Sequence, residues 1–306
     1  MSIYLITGAS SGLGLHVATR LAGQGGHHLI LPLRDANKAQ ALVERLGAAG
    51  AARVSTPVLD LASLASVNAF VAGLGAHEQG HLDGVLFNAG GQSAQRIAFT
   101  VDGIETTFAV NHLAHLALMN GLMPRLGSGA RVGWTASGTH DPKETAARLS
   151  GFRGARYTSA ARLAKADHEP GISVAQACRD AYATSKLCNI VAARAFAQRH
   201  PQAATFFSFD PGLMPGTGLA REHGAVGRWF WHQVLPRLAP ILPGTSTPAV
   251  SAAILTELLT GVRRPSYNGA YFNFTGQQLE PAAPATEAWV AEDLMRGSEA
   301  LIRGIV

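Results

Sequence analysis

The sequence predicts an α/β fold in which a doubly wound parallel sheet of about seven strands is covered by helices on both faces. Short apolar runs with strand character alternate with longer Ala- and Leu-rich stretches that have helical spacing. The run at 84–88 is apolar up to its last residue, as expected of a strand that is buried on both faces. With 306 residues the chain is long enough for one large domain, and we predict a single domain over 1–306.

Each strand in this prediction is a short apolar run followed by a helical stretch or a long irregular one. Two long irregular stretches, 138–176 and 212–248, interrupt the alternation. Such segments inside a compact domain usually form lids or binding loops, so we expect an insertion at 138–176 and a substrate-binding region at 212–248. The predicted strands are 3–7, 29–33, 54–59, 84–88, 131–137, 205–210 and 270–274, and the clearest helices are 13–24, 37–47, 64–74 and 103–126.

The composition excludes several classes of protein. Hydrophobic residues make up 47% and charged residues 15% of the chain, which excludes a disordered protein. No apolar run approaches the ~18 residues of a membrane span, so we expect no integral membrane segment. The net charge of +5 is scattered along the chain, so we expect no nucleic-acid partner. The first residues carry no signal-peptide pattern, and we expect a cytoplasmic protein.

Metal and disulfide chemistry are also disfavoured. The two cysteines, Cys178 and Cys188, are too few for a disulfide scaffold or a four-cysteine zinc site. His112 and His115 are one helical turn apart but have no third ligand at metal-binding spacing, so we predict no metal.

A glycine-rich segment, TGASSGLG at 7–14, joins the first strand to the first helix. Its first glycine permits the tight turn, the second lets the backbone approach a pyrophosphate, and the third allows close helix packing. The amino end of the helix favours the negative phosphates. The segment therefore predicts a dinucleotide-binding Rossmann fold, with cofactor contacts from Gly8, Ser10, Ser11, Gly12, Leu13 and Gly14.

The spacing TGxxxGxG resembles that of the short-chain dehydrogenase/reductase family, and further motifs of that family follow in order as far as Phe274. In this family an arginine just after the second strand binds the 2′-phosphate of NADP. Arg34 stands there, and its planar guanidinium suits a phosphate. The resemblance therefore implies NADP(H) in preference to NAD(H), although Asp35 beside it is the type of residue that binds the ribose of NAD.

The resemblance implies further cofactor contacts along the chain. Asp60 and Leu61 match the family's adenine-binding pair. Asp60 is also a candidate N-cap for the helix that starts near residue 63, and the two roles are compatible. The Asn-Ala-Gly motif ends the fourth strand, and a Pro-Gly motif that approaches the nicotinamide follows the sixth. The residues so implied are Asn88, Ala89, Gly90, Pro211, Gly212, Leu213 and Thr217, the last being one position later than usual.

A tyrosine and a lysine four residues apart, Tyr182 and Lys186, lie one turn apart on the same face of a predicted helix. A nearby ammonium favours the phenolate and so lowers the pKa of a tyrosine, which fits the pair for acid–base chemistry and for contacts to the cofactor. By resemblance, Ser137 polarises the substrate carbonyl, and Asn111 supports a water that links Lys186 to solvent. The implied catalytic residues are Asn111, Ser137, Tyr182 and Lys186.

The strings SGTH at 137–140 and SKLCN at 185–189 are similar to those of the protochlorophyllide reductases and retinol-dehydrogenase-like reductases. The former carry a cysteine after the Pro-Gly motif, where this chain has Leu213. We therefore expect an NADP(H)-dependent reductase of a hydrophobic ketone, aldehyde or quinone, working reversibly as a monomer or homodimer. His140, Trp229 and Trp231 are candidate substrate contacts. Carbon–carbon double-bond reduction and a non-catalytic NADP(H)-binding redox sensor stay open as alternatives.

Overall fold

The computed structural model describes residues 1–77, 80–93, 95–214 and 244–305. These residues form one α/β unit around an eight-stranded sheet with the strand order β3-β2-β1-β4-β5-β6-β7-β8. The first seven strands are parallel, and β8 pairs with β7 in the antiparallel sense. The strands are β1 (Ile3–Ile6), β2 (His28–Ile30), β3 (Arg53–Ser55), β4 (Leu82–Phe87), β5 (Leu126–Thr135), β6 (Thr205–Asp210), β7 (Ala270–Asn273) and β8 (Gln278–Leu279).

Helices cover both faces of the sheet, as predicted. Helix α4 begins as Thr106–Phe108, passes through a π-helical turn at Ala109–Leu113 and continues as Ala114–Leu122. The other described helices are α1 (Gly12–Gln24), α2 (Ala39–Ala48), α3 (Leu64–His77), α5 (Thr145–Leu149), α6 (Ala160–Ala164), α7 (Val174–Arg199), α8 (Pro248–Thr260) and α9 (Ala288–Ile305). None of the described helices is long and apolar enough to cross a membrane.

Two apolar clusters, one on each side of the sheet, form the core. One is built with α1, α2 and α8, and the other with α3, α4, α7 and α9. Trp134 of β5 is fully buried in the second cluster, with ring centroids 5.0 Å from Phe87 and 5.8 Å from Phe196. Aromatic packing of this kind fixes helix α7 against the sheet. Cys178 and Cys188 of this helix are buried, and neither forms a disulfide.

The strand order indicates where a ligand site is expected. The chain runs outward from β1 in both directions, so the order reverses between β1 and β4, and ligands of such sheets bind at the carboxyl ends of the strands beside this point. The segments that follow β1, β4, β5 and β6 meet there. These are the segments in which the glycine loop, the Asn-Ala-Gly motif, Ser137 and the Pro-Gly motif occur.

Among the differences between the structure and the sequence prediction, three concern the site or the make-up of the sheet. The predicted helix 103–126 begins only at Thr106, because the Glu105 carboxylate accepts hydrogen bonds from the amides of Thr107 and Phe108 at 2.8 and 2.7 Å. Strand β5 ends at Thr135, so Ser137 lies just beyond it and begins a 3₁₀ turn, Gly138–His140. The short antiparallel strand β8 was not predicted.

Candidate active site

The glycine loop forms an open cradle at the start of α1. A Cβ on Gly8 would lie 2.8 Å from the Cα of Ala89, and one on Gly14 would lie 2.5 Å from the Gly8 carbonyl oxygen, so both positions require glycine. A Cβ on Gly12 would meet no protein atom within 4 Å and would project into open space. The Ser11 side chain does not cap α1, and no acidic residue occupies its first turn. The cradle therefore leaves backbone amides open to an anion.

Thr7 joins this cradle to the Asn-Ala-Gly motif. Its hydroxyl oxygen accepts hydrogen bonds from the backbone amides of Asn88 and Ala89 at 2.9 and 3.0 Å. The Asn88 side-chain amide donates in return to the Thr7 carbonyl at 3.1 Å. The two motifs that the sequence places 80 residues apart thus form one rigid wall of the cavity, which continues through Gly90.

Two unpaired cations mark one end of the cavity. Arg34 and Lys38 are exposed, line the cavity, and form no ion pair with any described residue. The Asp35 carboxylate instead accepts a hydrogen bond from the Asn37 amide at 3.0 Å and caps the following 3₁₀ turn. Asp35 is therefore engaged with its own backbone, and the free positive charges fit a phosphate.

Asp60 and Leu61 line the same cavity. The Asp60 carboxylate accepts from the amide of Ala62 at 3.0 Å, while the hydroxyl of Ser63 accepts from the amide of Ser66 at 3.3 Å at the start of α3. The cap of α3 is thus Ser63, and the helix-capping alternative for Asp60 is not what the structure shows.

The implied catalytic side chains meet beyond the carboxyl end of β5. Ser137, Tyr182 and Lys186 all line the cavity, with Tyr182 and Lys186 facing it from one side of α7. The Lys186 Nζ donates to the Thr135 carbonyl at 3.1 Å and lies 5.5 Å from the centroid of the Tyr182 ring. The Thr135 carbonyl also accepts from Asn189 Nδ2 at 3.0 Å, so two side chains of α7 are tied to the end of β5.

Asn111 lies in the π-helical turn of α4 and is fully buried. Its carboxamide nitrogen donates to the Gly91 carbonyl at 2.9 Å and to the Ser185 hydroxyl at 3.0 Å, and its oxygen accepts from the Gly91 amide. The backbone carbonyl of Asn111 lies 3.1 Å from His115 Nδ1. Because a carbonyl oxygen can only accept, this ring nitrogen carries the hydrogen. Burial lowers the pKa of His115 to about 3, so this ring is neutral.

Burial dominates the acid–base properties of the site. It raises the pKa of Tyr182 well above its usual range, a change that the Asp210 carboxylate reinforces and the nearby Ser137 side chain partly offsets. Burial also lowers the pKa of Lys186 to about 8, and the Asp210 carboxylate acts in the opposite direction. The sequence argument expected Lys186 to lower the pKa of Tyr182. The net change in the pKa of Tyr182 is upward because the loss of hydration is its largest cause, so the lowering by Lys186 stays a prediction.

Asp210 is a site residue to which the sequence motifs assign no role. It is the residue before the Pro-Gly motif, it lines the cavity, and it accepts a hydrogen bond from the Gly212 amide at 2.9 Å. The Gly138 amide and the Tyr271 hydroxyl also bond to it, yet burial and the carboxylate of Glu144 raise its pKa. The signal in the sequence was an acidic residue at the carboxyl end of a buried strand, directly before a recognised motif.

The 138–176 insertion supplies a wall of the cavity and is clamped to α7. The Arg153 guanidinium forms an ion pair with Asp180 at 2.6 Å, and the Arg156 amide donates to the Thr184 hydroxyl at 2.8 Å. Between Ser137 and these clamps, the Phe152 ring packs 6.0 Å from the Tyr182 ring. Phe152 therefore forms an apolar wall beside the tyrosine. Its position could not be predicted, because it depends on long-range contacts of the insertion that leave no periodic pattern in the sequence.

The remaining predicted substrate contacts have other outcomes. His140 Nδ1 donates to the Ser137 carbonyl at 2.7 Å, and Nε2 accepts from the Ala282 amide at 3.2 Å. With both ring nitrogens engaged and the residue only 2% exposed, His140 holds the Ser137 turn in place and offers a substrate no polar atom. Thr217, Trp229 and Trp231 lie outside the described residues.

The Pro-Gly motif reaches the cavity through Pro211, Gly212 and Leu213. The Leu213 amide donates to the Gly244 carbonyl at 3.0 Å, and its carbonyl accepts from the Ser246 amide at 2.9 Å. The whole cavity has a volume of about 1350 Å³. Within the described part of the chain, no group of three His, Cys, Asp or Glu side chains is arranged to hold a metal ion.

These features fit an anionic dinucleotide. The uncapped amino end of α1, the open side of Gly12 and the unpaired Arg34 and Lys38 all border one cavity. Ser137, Tyr182 and Lys186 lie elsewhere along that cavity. A ligand with phosphates near the cradle can thus extend toward the tyrosine.

Comparison with known proteins agrees with this geometry. The short chain dehydrogenase family profile matches residues 2–139. The protochlorophyllide reductase of Avena sativa is 36% identical over 240 residues, covering 72% of this chain and 74% of that protein. The WW domain-containing oxidoreductase of Drosophila melanogaster is 30% identical over 311 residues, covering 99% of this chain and 68% of that protein.

A solved short chain dehydrogenase from Burkholderia cenocepacia J2315, in complex with NADP, has a TM-score of 0.62. It is 22% identical, and the match covers 90% of this chain and 96% of that one, so it supports the fold alone. The two relatives that are at least 30% identical support a family assignment for the chain. From the glycine cradle through the tyrosine–lysine pair, the chain is a member of the short-chain dehydrogenase family of oxidoreductases.

Proposed function

We propose that the protein is an NADP(H)-dependent oxidoreductase that reduces a hydrophobic ketone, aldehyde or quinone to the alcohol, and that can work in reverse. The observation that carries the proposal is that Ser137, Tyr182 and Lys186 line the same cavity as an uncapped helix amino terminus and two unpaired cations. A proton donor and a dinucleotide cradle in one cavity are what hydride chemistry on a carbonyl needs.

The cofactor would be held by this chain's own residues. The amides at Gly12 and Leu13 would bind the pyrophosphate, Arg34 and Lys38 the 2′-phosphate, and Asp60 the adenine. When bound, NADPH supplies a hydride. Gly90 lies beside Lys186, since a Cβ at that glycine would be 3.5 Å from the lysine Nζ, so Lys186 borders the backbone along which the cofactor would lie.

The proton comes from Tyr182. Its pKa is raised, so near neutral pH the phenol keeps its hydrogen, which is the form that can protonate a carbonyl oxygen. Ser137, close to Tyr182, can donate a second hydrogen bond to the same oxygen. Asn111 holds the Gly91 backbone and Ser185, and so fixes the turn of α7 that carries Tyr182. The reverse reaction, alcohol oxidation, needs the phenolate as the base.

Reduction of a carbon–carbon double bond is the second candidate. It is favoured by the 36% identity to a protochlorophyllide reductase. The resemblance implies a cysteine directly after the Pro-Gly motif of protochlorophyllide reductases. This chain has Leu213 at that position, and an apolar side chain cannot donate a proton. For this reason we place carbonyl reduction first.

The test is NADPH oxidation with aromatic ketones, quinones, long aldehydes and an α,β-unsaturated ketone, with the products identified by mass and NMR. We expect the alcohol as product and a loss of about 10²- to 10⁴-fold in kcat for Tyr182→Phe. The matched control is Tyr267→Phe, at a tyrosine that is 38% exposed. A saturated ketone formed from the unsaturated one would favour the second candidate. NADPH binding without any turnover would contradict both and favour a redox sensor.

A further inference from the structure

We propose that Arg179 binds a carboxylate group of the substrate, so that the substrate class is a hydrophobic carbonyl compound that carries a carboxylate away from its reacting carbon. The proposal rests on the proposed function, because it assigns the other end of the same substrate. Arg179 belongs to none of the motifs that identified the site.

Arg179 lies in the substrate part of the cavity. It is on α7, three residues and therefore one helical turn before Tyr182, so both side chains lie on the same face of the helix. It lines the cavity together with Ser150 and Phe152 of the insertion. Its guanidinium lies against Gly151, where a Cβ would be 3.3 Å from the Arg179 Nε. A substrate that touches Tyr182 and Phe152 is therefore within reach of Arg179.

The guanidinium is held in a fixed orientation. Gln176 accepts from the Arg179 Nε at 3.2 Å and from Nη2 at 2.8 Å through its side-chain oxygen. The other end of that carboxamide is fixed as well, because its nitrogen donates to Asp180 at 2.7 Å. Asp180 is in turn paired with Arg153. This chain of contacts pre-organises Arg179 and leaves the two Nη1 hydrogens and one Nη2 hydrogen without a partner among the described residues.

The charge of Arg179 is also uncompensated. In the described chain, Arg153 and Arg156 contact Glu169 and Arg162 contacts Asp167, whereas no carboxylate lies within 4 Å of Arg179. A planar guanidinium with adjacent free hydrogens on Nη1 and Nη2 matches the two oxygens of a carboxylate. A partly buried arginine in this state is suited to an anionic partner from outside the protein.

The charges elsewhere in the cavity would fix the direction of the substrate. Asp210 and Glu144 lie beside the Ser137 turn, where Asp210 bonds to the Gly138 amide and a Cβ on Gly138 would lie 3.1 Å from the Glu144 Cγ. The Lys186 ammonium offsets one of these two carboxylates, so this end of the cavity keeps a net negative charge. A substrate carboxylate is therefore repelled there and attracted to Arg179. The apolar body then lies along Phe152 with the carbonyl toward Tyr182. The substrate is thus oriented by charge before any chemistry occurs.

The experiment compares each acid with its own methyl ester. The probes are para-formylbenzoate and its biphenyl homologue, each with its ester, so that two lengths are sampled. The ratio of kcat/KM for acid over ester is measured with NADPH, and dissociation constants are measured by calorimetry in the presence of NADP⁺. The variants are Arg179→Gln and Arg179→Lys, and the matched control is Arg199→Gln. Arg199 lies on the same helix about 30 Å away.

We expect the wild type to prefer one of the acids by about tenfold to a hundredfold, mainly through KM, as for a charge-assisted hydrogen bond. The preference should fall to near unity in Arg179→Gln, be intermediate in Arg179→Lys, which keeps the charge but not the fork, and persist in Arg199→Gln. A preference that survives Arg179→Gln overturns the proposal, and so does binding of neither acid.

Failure of this proposal and failure of the proposed function give different results. Turnover of acids and esters at equal efficiency overturns the carboxylate site and leaves the carbonyl reductase intact. Acid-selective binding that disappears in Arg179→Gln, without turnover of any probe, supports the carboxylate site and contradicts the proposed chemistry.

Discussion

Replacement of Lys186 by methionine should stabilise the cofactor-free protein at pH 7. Lys186 is only 4% exposed, and methionine keeps an unbranched apolar side chain of similar length in the same space. The Thr135 carbonyl that Lys186 contacts still accepts from Asn189 at 3.0 Å, so the change leaves no buried oxygen without a partner. What is removed is a buried charge.

The size of the effect follows from the pKa of Lys186. Burial lowers it from 10.5 to about 8, and each unit corresponds to about 1.4 kcal/mol, so the buried ammonium costs about 3 kcal/mol below pH 8. Because the folded-state pKa is the lower one, only the unfolded chain holds this proton between about pH 8 and 10.5. The wild type therefore gains stability across this window, and the advantage of the variant should vanish toward its upper end.

Urea unfolding of both proteins, followed by tryptophan fluorescence from pH 7 to pH 10.5, measures this difference. Tyrosines also titrate at high pH, but their contribution to stability is common to both proteins and cancels when one curve is subtracted from the other. Lys165→Met serves as the control, since Lys165 is exposed, and it should give a difference that does not change with pH. A Lys186→Met protein that is less stable at pH 7, or a difference that is constant in pH, would refute the reasoning.

Two further predictions concern charges around the site. Arg34→Gln should reduce the preference for NADPH over NADH by about tenfold to a hundredfold, because it removes a charge-assisted phosphate contact, and an unchanged ratio of dissociation constants would contradict this. Asp210→Asn should lower the pKa of Tyr182, because the carboxylate disfavours the phenolate. The pH profile of alcohol oxidation should then move to lower pH, whereas a move to higher pH would rule out this role of Asp210.

Much of the fold could be predicted because its signals are local. Seven parallel strands appear as short runs rich in apolar residues, and all seven are present near the predicted positions. Strand β8 was missed because Gln278–Leu279 is only two residues long and carries no apolar run. The π-helical turn around Asn111 left no readable signal either, because α4 is buried on almost all sides and has no one-sided apolar stripe in which an extra residue would show.

The candidate site also has a part that local motifs predict and a part that they do not. The sequence places Tyr182, Lys186 and the glycine loop in one cavity through motifs of fixed spacing. Arg179, Phe152 and Asp210 belong to no motif, and their roles depend on contacts made across the fold, such as the Arg153–Asp180 ion pair. His140 was predicted to contact the substrate because it closely follows Ser137, but both its ring nitrogens form hydrogen bonds with backbone groups.

The protonation states of Tyr182 and Lys186 are the part of the site that no motif could have revealed. A four-residue spacing says that the two side chains are neighbours, but the surrounding protein decides which form each one takes. Burial disfavours both charged forms, so it raises the pKa of Tyr182 and lowers that of Lys186. The burial that keeps the Tyr182 phenol protonated for reduction also lowers the free energy of unfolding, because it removes water from the Lys186 ammonium. At this position stability and the proposed catalysis therefore oppose each other.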